Sequence, residues 1–249
     1  MSDLLNHPLI CERYFFPRGA PPIDSHSINV PGATLACWSD RRDVRLPLLV
    51  HFHGNGELVH DWIRPLGAFT ERVGFRLFLA EYRGYGASTG RPELGRLLDD
   101  VGAIAEAVGT SPERIVVMGR SVGSIFAIEW ARRFPSTAGL IIESGIHDVY
   151  ERLALRLAPH EVDLDALRQR VEARCNHGAV LGDFQSPSLF LHALNDHLVG
   201  VEHARRNHAA SGERSELVVF PQGDHNSILY ENQQAYWGAV SRYLARLGL

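Results

Sequence analysis

Cysteine is scarce in this chain of 249 residues. The three present, Cys11, Cys37 and Cys175, are odd in number and widely spaced, with no Cys-x-x-Cys unit. That excludes a disulfide framework and gives no support to a thiolate zinc site or a redox pair; buried, inert thiols are expected. No segment approaches the ~20 apolar residues that a membrane-crossing helix needs. The amino terminus, MSDLLNHPLI, has no basic stretch followed by an apolar run, so no leader is read there. The expectation is a cytoplasmic protein without stable membrane insertion. A basic stripe is also lacking: the 25 Lys and Arg residues are scattered against 29 Asp and Glu, for a net charge of −4. That argues against a phosphate-tracking surface and so against nucleic acid as a partner. Internal repeats, low-complexity tracts and long linkers are absent too. What is left, 45% hydrophobic and 22% charged, is the composition of an ordinary globular chain, read as one domain over 1–249.

Short apolar runs alternate with amphipathic stretches. Candidate strands are Leu46–Phe52, Phe75–Tyr82, Arg114–Met118, Gly139–Ser144, Ser188–Ala193 and Glu216–Phe220. Runs this short and apolar on both faces suit a parallel sheet covered by helices on both sides. Between them Leu94, Leu97, Leu98, Val101, Ile104 and Val108 recur at helical spacing, putting one apolar stripe on the sheet. The segment from about Ser227 to Leu247 reads as a final helix. HSINVPGATLACW reads as an antiparallel edge hairpin through Pro31-Gly32. Strand, helix, strand, helix predicts a doubly wound α/β fold. One interval breaks the rhythm. Between Ser144 and Ser188 stand two helical patterns, Tyr150, Leu153, Leu157 and then Leu164, Leu167, Val171, separated by Pro159. A small helical cap at about 146–186 is predicted, above the carboxyl edge of the sheet where such folds keep their sites.

Chemistry concentrates at that edge. Gly119-Arg120-Ser121-Val122-Gly123 sits between an apolar strand and a helix-like pattern. In a Gly-x-Ser-x-Gly elbow the sharp turn holds the serine in strained geometry, and side chains at either glycine would collide with the flanking elements. A serine hydroxyl is a poor nucleophile at neutral pH and needs a base, a group that orients the base, and donors for the developing oxyanion. Loops after later strands supply the first two: Asp196 after SLFLHA, and His225 after ELVVFPQG. Glu143 and Asp148 follow the preceding strand and are competing candidates for the acid. His192, His197 and His208 read as hydrogen-bonded or solvated histidines. For the oxyanion donors the backbone N–H of Val122 is one choice. Asn55, in the loop HGNGE after a strand, is the other, with Gly56 in reserve.

Two competing motifs are weaker. His51, His53 and His60 have no acidic or thiol partner at ligand spacing, so no metal is expected. Gly84, Gly86 and Gly90 imitate a dinucleotide loop, but the third glycine is one place too late and the unit is not the first of the fold, so a tight turn is read instead.

The order of HGNGE, YRGYGASTG, GRSVG, NDHLV and GDHN from about Val30 onward resembles the α/β-hydrolase superfamily. The HGN and RGYGxSxG elements look most like the serine hydrolase branch that contains protein depalmitoylases and bacterial esterases. That resemblance implies an α/β-hydrolase fold with a mostly parallel eight-stranded sheet, a triad of Ser121, Asp196 and His225, and no cofactor. The chain departs from the family pattern at Ala193, where glycine is common, at Asp224 before the base, which is expected to alter the pH optimum, and at Glu57, which is expected to place negative charge in the substrate pocket. The reading is a serine hydrolase that cleaves carboxylic ester or thioester bonds of a small-molecule or acylated substrate through an acyl-enzyme. Amide hydrolysis, acyl transfer and perhydrolysis use the same three residues and stay open, as does a hydrolase-fold binding protein that keeps the triad unused. For the cap stripe of Leu164, Leu167 and Val171, packing onto the sheet is favoured over lining an acyl pocket.

Overall fold

The structure is a computed structural model that describes residues 3–24 and 26–249; Met1 and Ser2 of the amino-terminal stretch lie outside the described residues. Eight strands form one sheet: β1 (His26–Val30), β2 (Ala33–Ser39), β3 (Leu48–Phe52), β4 (Arg76–Ala80), β5 (Ile115–Arg120), β6 (Gly139–Glu143), β7 (Ser188–Ala193) and β8 (Ser215–Phe220). Their order is β1-β2-β4-β3-β5-β6-β7-β8. The hairpin is present, with Val30 paired to Ala33. β2 runs antiparallel to β4, and every later pairing is parallel.

The helices are α1 (Pro8–Tyr14), α2 (Val59–Val73), α3 (Leu94–Val108), α4 (Gly123–Arg133), α5 (Val149–Ala154), α6 (Leu164–Cys175), α7 (His177–Asp183), α8 (Val201–Ser211), α9 (Ile228–Glu231) and α10 (Gln233–Arg246). Because successive strand residues point to opposite faces, β3 sends Leu48, Val50 and Phe52 into one core with α3 and α4, and Leu49 into a second core with α2 and α10. Each fully buried Leu, Val or Phe contributes roughly 1.5–3 kcal/mol. The two cores therefore clamp the central strands from both sides and fix where their carboxyl ends lie.

Strand boundaries shift for identifiable reasons. Pro47 has no N–H for the ladder, so β3 begins at Leu48. Glu81 and Tyr82 leave β4 because the Glu81 carboxylate accepts from the N–H groups of Tyr82 and Val59. The expected last helix is broken at Asn232, whose Nδ2 donates to the carbonyls of Ile228 and Gln222. The Gly84–Gly90 segment is a tight turn, with the N–H of Gly84 on the carbonyl of Thr89 at 3.0 Å.

The interval between β6 and β7 holds three helices rather than two. Asn176 ends α6 and starts α7, its Oδ1 accepting from the N–H of Ala179 at 2.9 Å. α7 packs against α4 and α8, while α5 and α6 pack against each other. Leu167 and Val171 are buried in the α3–α4 core, so their stripe packs down.

Candidate active site

Ser121 and Ser144 are the non-glycine residues with positive φ among the described residues, at 52° and 48°. Strain of this kind is confined to the carboxyl ends of β5 and β6. At Ser121 the chain leaves β5 and enters α4 within two residues, and the flanking positions have no room for a side chain. A Cβ on Gly123 would stand 2.1 Å from the carbonyl oxygen of Phe52, and one on Gly119 would stand 2.6 Å from that of Gly123. Only glycine lets α4 start this close to β3 and β5.

The loops after β7 and β8 bring the other two expected residues to Ser121. The Ser121 hydroxyl donates to Nε2 of His225 at 2.9 Å, and Nδ1–H of His225 donates to Oδ2 of Asp196 at 2.7 Å. The tautomer with the proton on Nδ1 satisfies both bonds. All three side chains are buried. Oδ1 of Asp196 accepts from the N–H groups of Leu198 and Val199 at 2.9 and 2.8 Å. His192 donates through Nε2 to the carbonyl of Val199 at 2.7 Å and also lies 3.3 Å from Oδ2 of Asp196. Burial alone would raise the carboxyl pKa, but the bonds from His192, His225 and Val199 outweigh it and hold Asp196 well below the usual carboxylate range.

The competing acids are engaged elsewhere. Asp148 accepts from the N–H of Glu151 at the start of α5. Glu143 belongs to a buried cluster around Arg120, which the sequence reading passed over. Arg120 lies on β5 with the parity of Val116 and Met118, and so faces the α2–α10 side of the sheet. Its Nε donates to Glu143 at 2.9 Å, its Nη1 pairs with Glu57, and its Nη2 donates to the carbonyl oxygen of His225 at 2.7 Å. The hydroxyl of Tyr236, from α10, donates to the other oxygen of Glu143. Burial disfavours the charged guanidinium, yet Glu143 and Glu57 more than offset it and raise the Arg120 pKa.

Glu57 therefore does not charge the substrate pocket. It pairs with Arg120 and accepts from the N–H of Gly54 at 2.7 Å and from the Trp62 indole at 3.0 Å, which fixes the loop after β3. Asn55 in that loop is fixed in turn: its Oδ1 accepts from the Phe16 N–H and the Tyr85 hydroxyl, and its Nδ2 donates to the carbonyl of Tyr14. Among the described residues, neither the Asn55 nor the Val122 backbone N–H finds an acceptor. Nor does Asp224 touch the His225 ring. Its Oδ1 accepts from Asn226 and Ser227, and these bonds lower its pKa, so its charge does not change where an imidazole titrates. Its part is to shape the turn that carries His225.

His51 and His53 are likewise structural. His51 is buried with its ring 4.6 Å from that of Trp62, and Nε2 of His53 meets Glu81 at 2.7 Å. Above Ser121 lies a small cavity of about 120 Å³, walled by Tyr14, Phe16, Ile146, Arg152, Arg156 and Leu198 among others. Tyr14 and Phe16 belong to the amino-terminal segment, in which no motif pointed to the site.

Residues 45–170 match the family described as "Serine aminopeptidase, S33". The chain belongs to this family of α/β hydrolases. This α/β hydrolase is 29% identical over 230 residues to the "Uncharacterized protein YfhR" of Salmonella typhimurium, covering 83% of the chain and 76% of that protein. It spans 64% of the length of YfhR of Escherichia coli, at 25% identity. A Saccharomyces cerevisiae relative, "Uncharacterized membrane protein YNL320W", is 25% identical over 93% of the chain and 82% of its own length. Among the described residues of this hydrolase no helix is long and apolar enough to cross a membrane. Among solved structures the fold is similar to the Pyrococcus furiosus esterase Pf2001, with a TM-score of 0.71, 17% identity and 95% of both chains covered. It is also similar to a Pseudomonas aeruginosa hydrolase, with a TM-score of 0.69, 24% identity, and 90% and 99% covered.

Proposed function

We propose that this α/β hydrolase cleaves carboxylic ester or thioester bonds through a covalent acyl-enzyme formed on Ser121. The observation that carries the reading is the unbroken chain of bonds from Ser121 through His225 to Asp196. In the first half-reaction Oγ of Ser121 adds to the acyl carbon while Nε2 of His225 takes its proton. Asp196 keeps the imidazole in the required tautomer and stabilises the imidazolium. The N–H groups of Val122 and Asn55 receive the oxyanion. The tetrahedral adduct collapses as His225 returns the proton to the departing alcohol or thiol. Water, deprotonated by the same imidazole, then releases the acid.

The cavity favours a short acyl group, since it is small beside the ~300–1,000 Å³ of common ligand pockets. Its lining also weighs against the aminopeptidase activity in the family's description. An exopeptidase that reads a free amino terminus needs a carboxylate for the ammonium group, and none of the described residues lining this cavity is Asp or Glu. The test is stopped-flow hydrolysis of p-nitrophenyl acetate and butyrate combined with intact-protein mass spectrometry. An initial burst and an acyl mass increment that Ser121→Ala abolishes are expected. Turnover that survives Ser121→Ala would remove the reading.

A further inference from the structure

The charge around the cavity is unbalanced in one direction. The chain is acidic overall, at −4, yet the cavity lining carries three arginines and no carboxylate. Arg120 is already neutralised by Glu57 and Glu143. Arg152 on α5 and Arg156 just after it are not: among the described residues neither stands within 4.0 Å of a carboxylate. Their neighbours show the contrast, since Arg13 takes Glu161 in a two-bond pair and Arg206 takes Asp148 and Glu151.

Arg156 is nevertheless held in place. Its Nη1 donates to the carbonyl of Arg13 at 3.1 Å, Nη1 of Arg13 donates back to the carbonyl of Arg156 at 3.1 Å, and its guanidinium lies 5.2 Å from the centre of the Phe16 ring. A guanidinium positioned by a carbonyl and an aromatic face keeps its remaining donors for a ligand. Arg156 and Arg152, two cations without a carboxylate partner beside a mostly apolar wall of Phe16, Ile146 and Leu198, repel ammonium groups and attract carboxylate or phosphate.

We propose that Arg152 and Arg156 select esters or thioesters bearing an anionic group, a carboxylate or phosphate, near the scissile bond. This rests on the serine hydrolase reading above and adds to it the charge class of the substrate. The group is carried either by the acyl part or by the leaving alcohol.

The test compares hydrolysis of matched pairs by proton NMR: monomethyl glutarate against methyl valerate for an acyl-borne anion, and 2-acetoxyethyl phosphate against 2-methoxyethyl acetate for an alcohol-borne one. In at least one pair the wild type is expected to favour the anionic ester in kcat/KM by about 10-fold or more, the size of one or two bonds to a charged group. The pair that shows the advantage identifies which side carries the anion. Arg152→Gln and Arg156→Gln should each lower that ratio, and the double variant should bring it near one. The advantage should also shrink with added salt. Arg156→Gln removes contacts to Arg13 and Phe16, so Arg152→Gln and Arg156→Lys, checked by thermal melting, separate selection from folding. Turnover of the neutral esters at least as fast as the anionic ones in both pairs would overturn the inference while leaving the hydrolase reading in place. Inertness toward all four, with no acyl increment on Ser121, would remove both.

Discussion

Nη2 of Arg120 donates to the carbonyl oxygen of His225 at 2.7 Å, so the residue beside the elbow serine grips the backbone of the imidazole across 105 positions of sequence. Through Glu57 and Glu143 the same guanidinium joins the loop after β3 and the end of β6. Three of the loops that build the site thus share one buried cation.

Arg120→Gln should destabilise the protein by about 3 kcal/mol or more, because it strands the buried carboxylate of Glu143 and unpairs the half-buried Glu57. Arg120→Lys keeps the charge but loses the fork that reaches three acceptors. It should fold and lose kcat far more than KM, since it loosens His225 while a cation stays in the cavity wall. Urea denaturation and steady-state kinetics on the two variants check this; equal loss in kcat and stability for both would mean that Arg120 acts only as a structural ion.

Glu57→Gln keeps an acceptor for the Gly54 N–H but gives up the pair with Arg120. A stability loss of about 1–3 kcal/mol is expected, without reversal of any preference for substrate charge. A shift toward more anionic substrates on this change would restore Glu57 to the pocket.

The motif-bearing residues were legible in the sequence because strand-turn-helix chemistry is local. Ser121 declared itself through two glycines at fixed offsets, and His225 and Asp196 through their places after later strands. The parallel, helix-covered character of the sheet follows from short runs apolar on both faces, whereas the place of β4 between β2 and β3 does not. What stayed hidden depends on contacts across long stretches of chain. Arg120 is one x of the elbow motif, and nothing local says that Glu57, Glu143 and His225 converge on it. Tyr14 and Phe16 precede every recognisable motif, and Asn55 joins them to the site only in three dimensions. α7 was missed because its apolar residues, Val180 and Leu181, are too few to set a period. Asn176, a good N-cap, was the available signal.

Gly123→Ala should abolish the elbow, as the new methyl would stand 2.1 Å from the Phe52 carbonyl. A loss of about 3 kcal/mol or failure to accumulate folded protein is expected. Thermal melting of the purified variant decides it. A near-native Tm would show that α4 moves away from β3 more easily than the packing implies.

His177 links the site to acid stability. It is buried, its Nδ1–H donates to the carbonyl of Ile146 at 2.7 Å, and burial pushes its pKa down to about 4. The unfolded chain, with an imidazole near ~6.5, binds this proton more readily, so stability rises with pH between the two values and is lost as pH falls from 6.5 toward 4. One such group accounts for about 3 kcal/mol across that window. His177→Gln should flatten the pH dependence of the urea midpoint by about one proton in that range; an unchanged slope would show that His177 is not buried neutral.

The central claim is that Ser121 is the activated nucleophile. Intact-protein mass spectrometry after exposure to a fluorophosphonate measures it most directly. One adduct on wild-type protein, mapped to Ser121, absent in Ser121→Ala and slowed by about 10²-fold or more in His225→Ala, is the predicted result. Folded wild-type protein that takes up no adduct, or takes it up at another residue, would contradict the account.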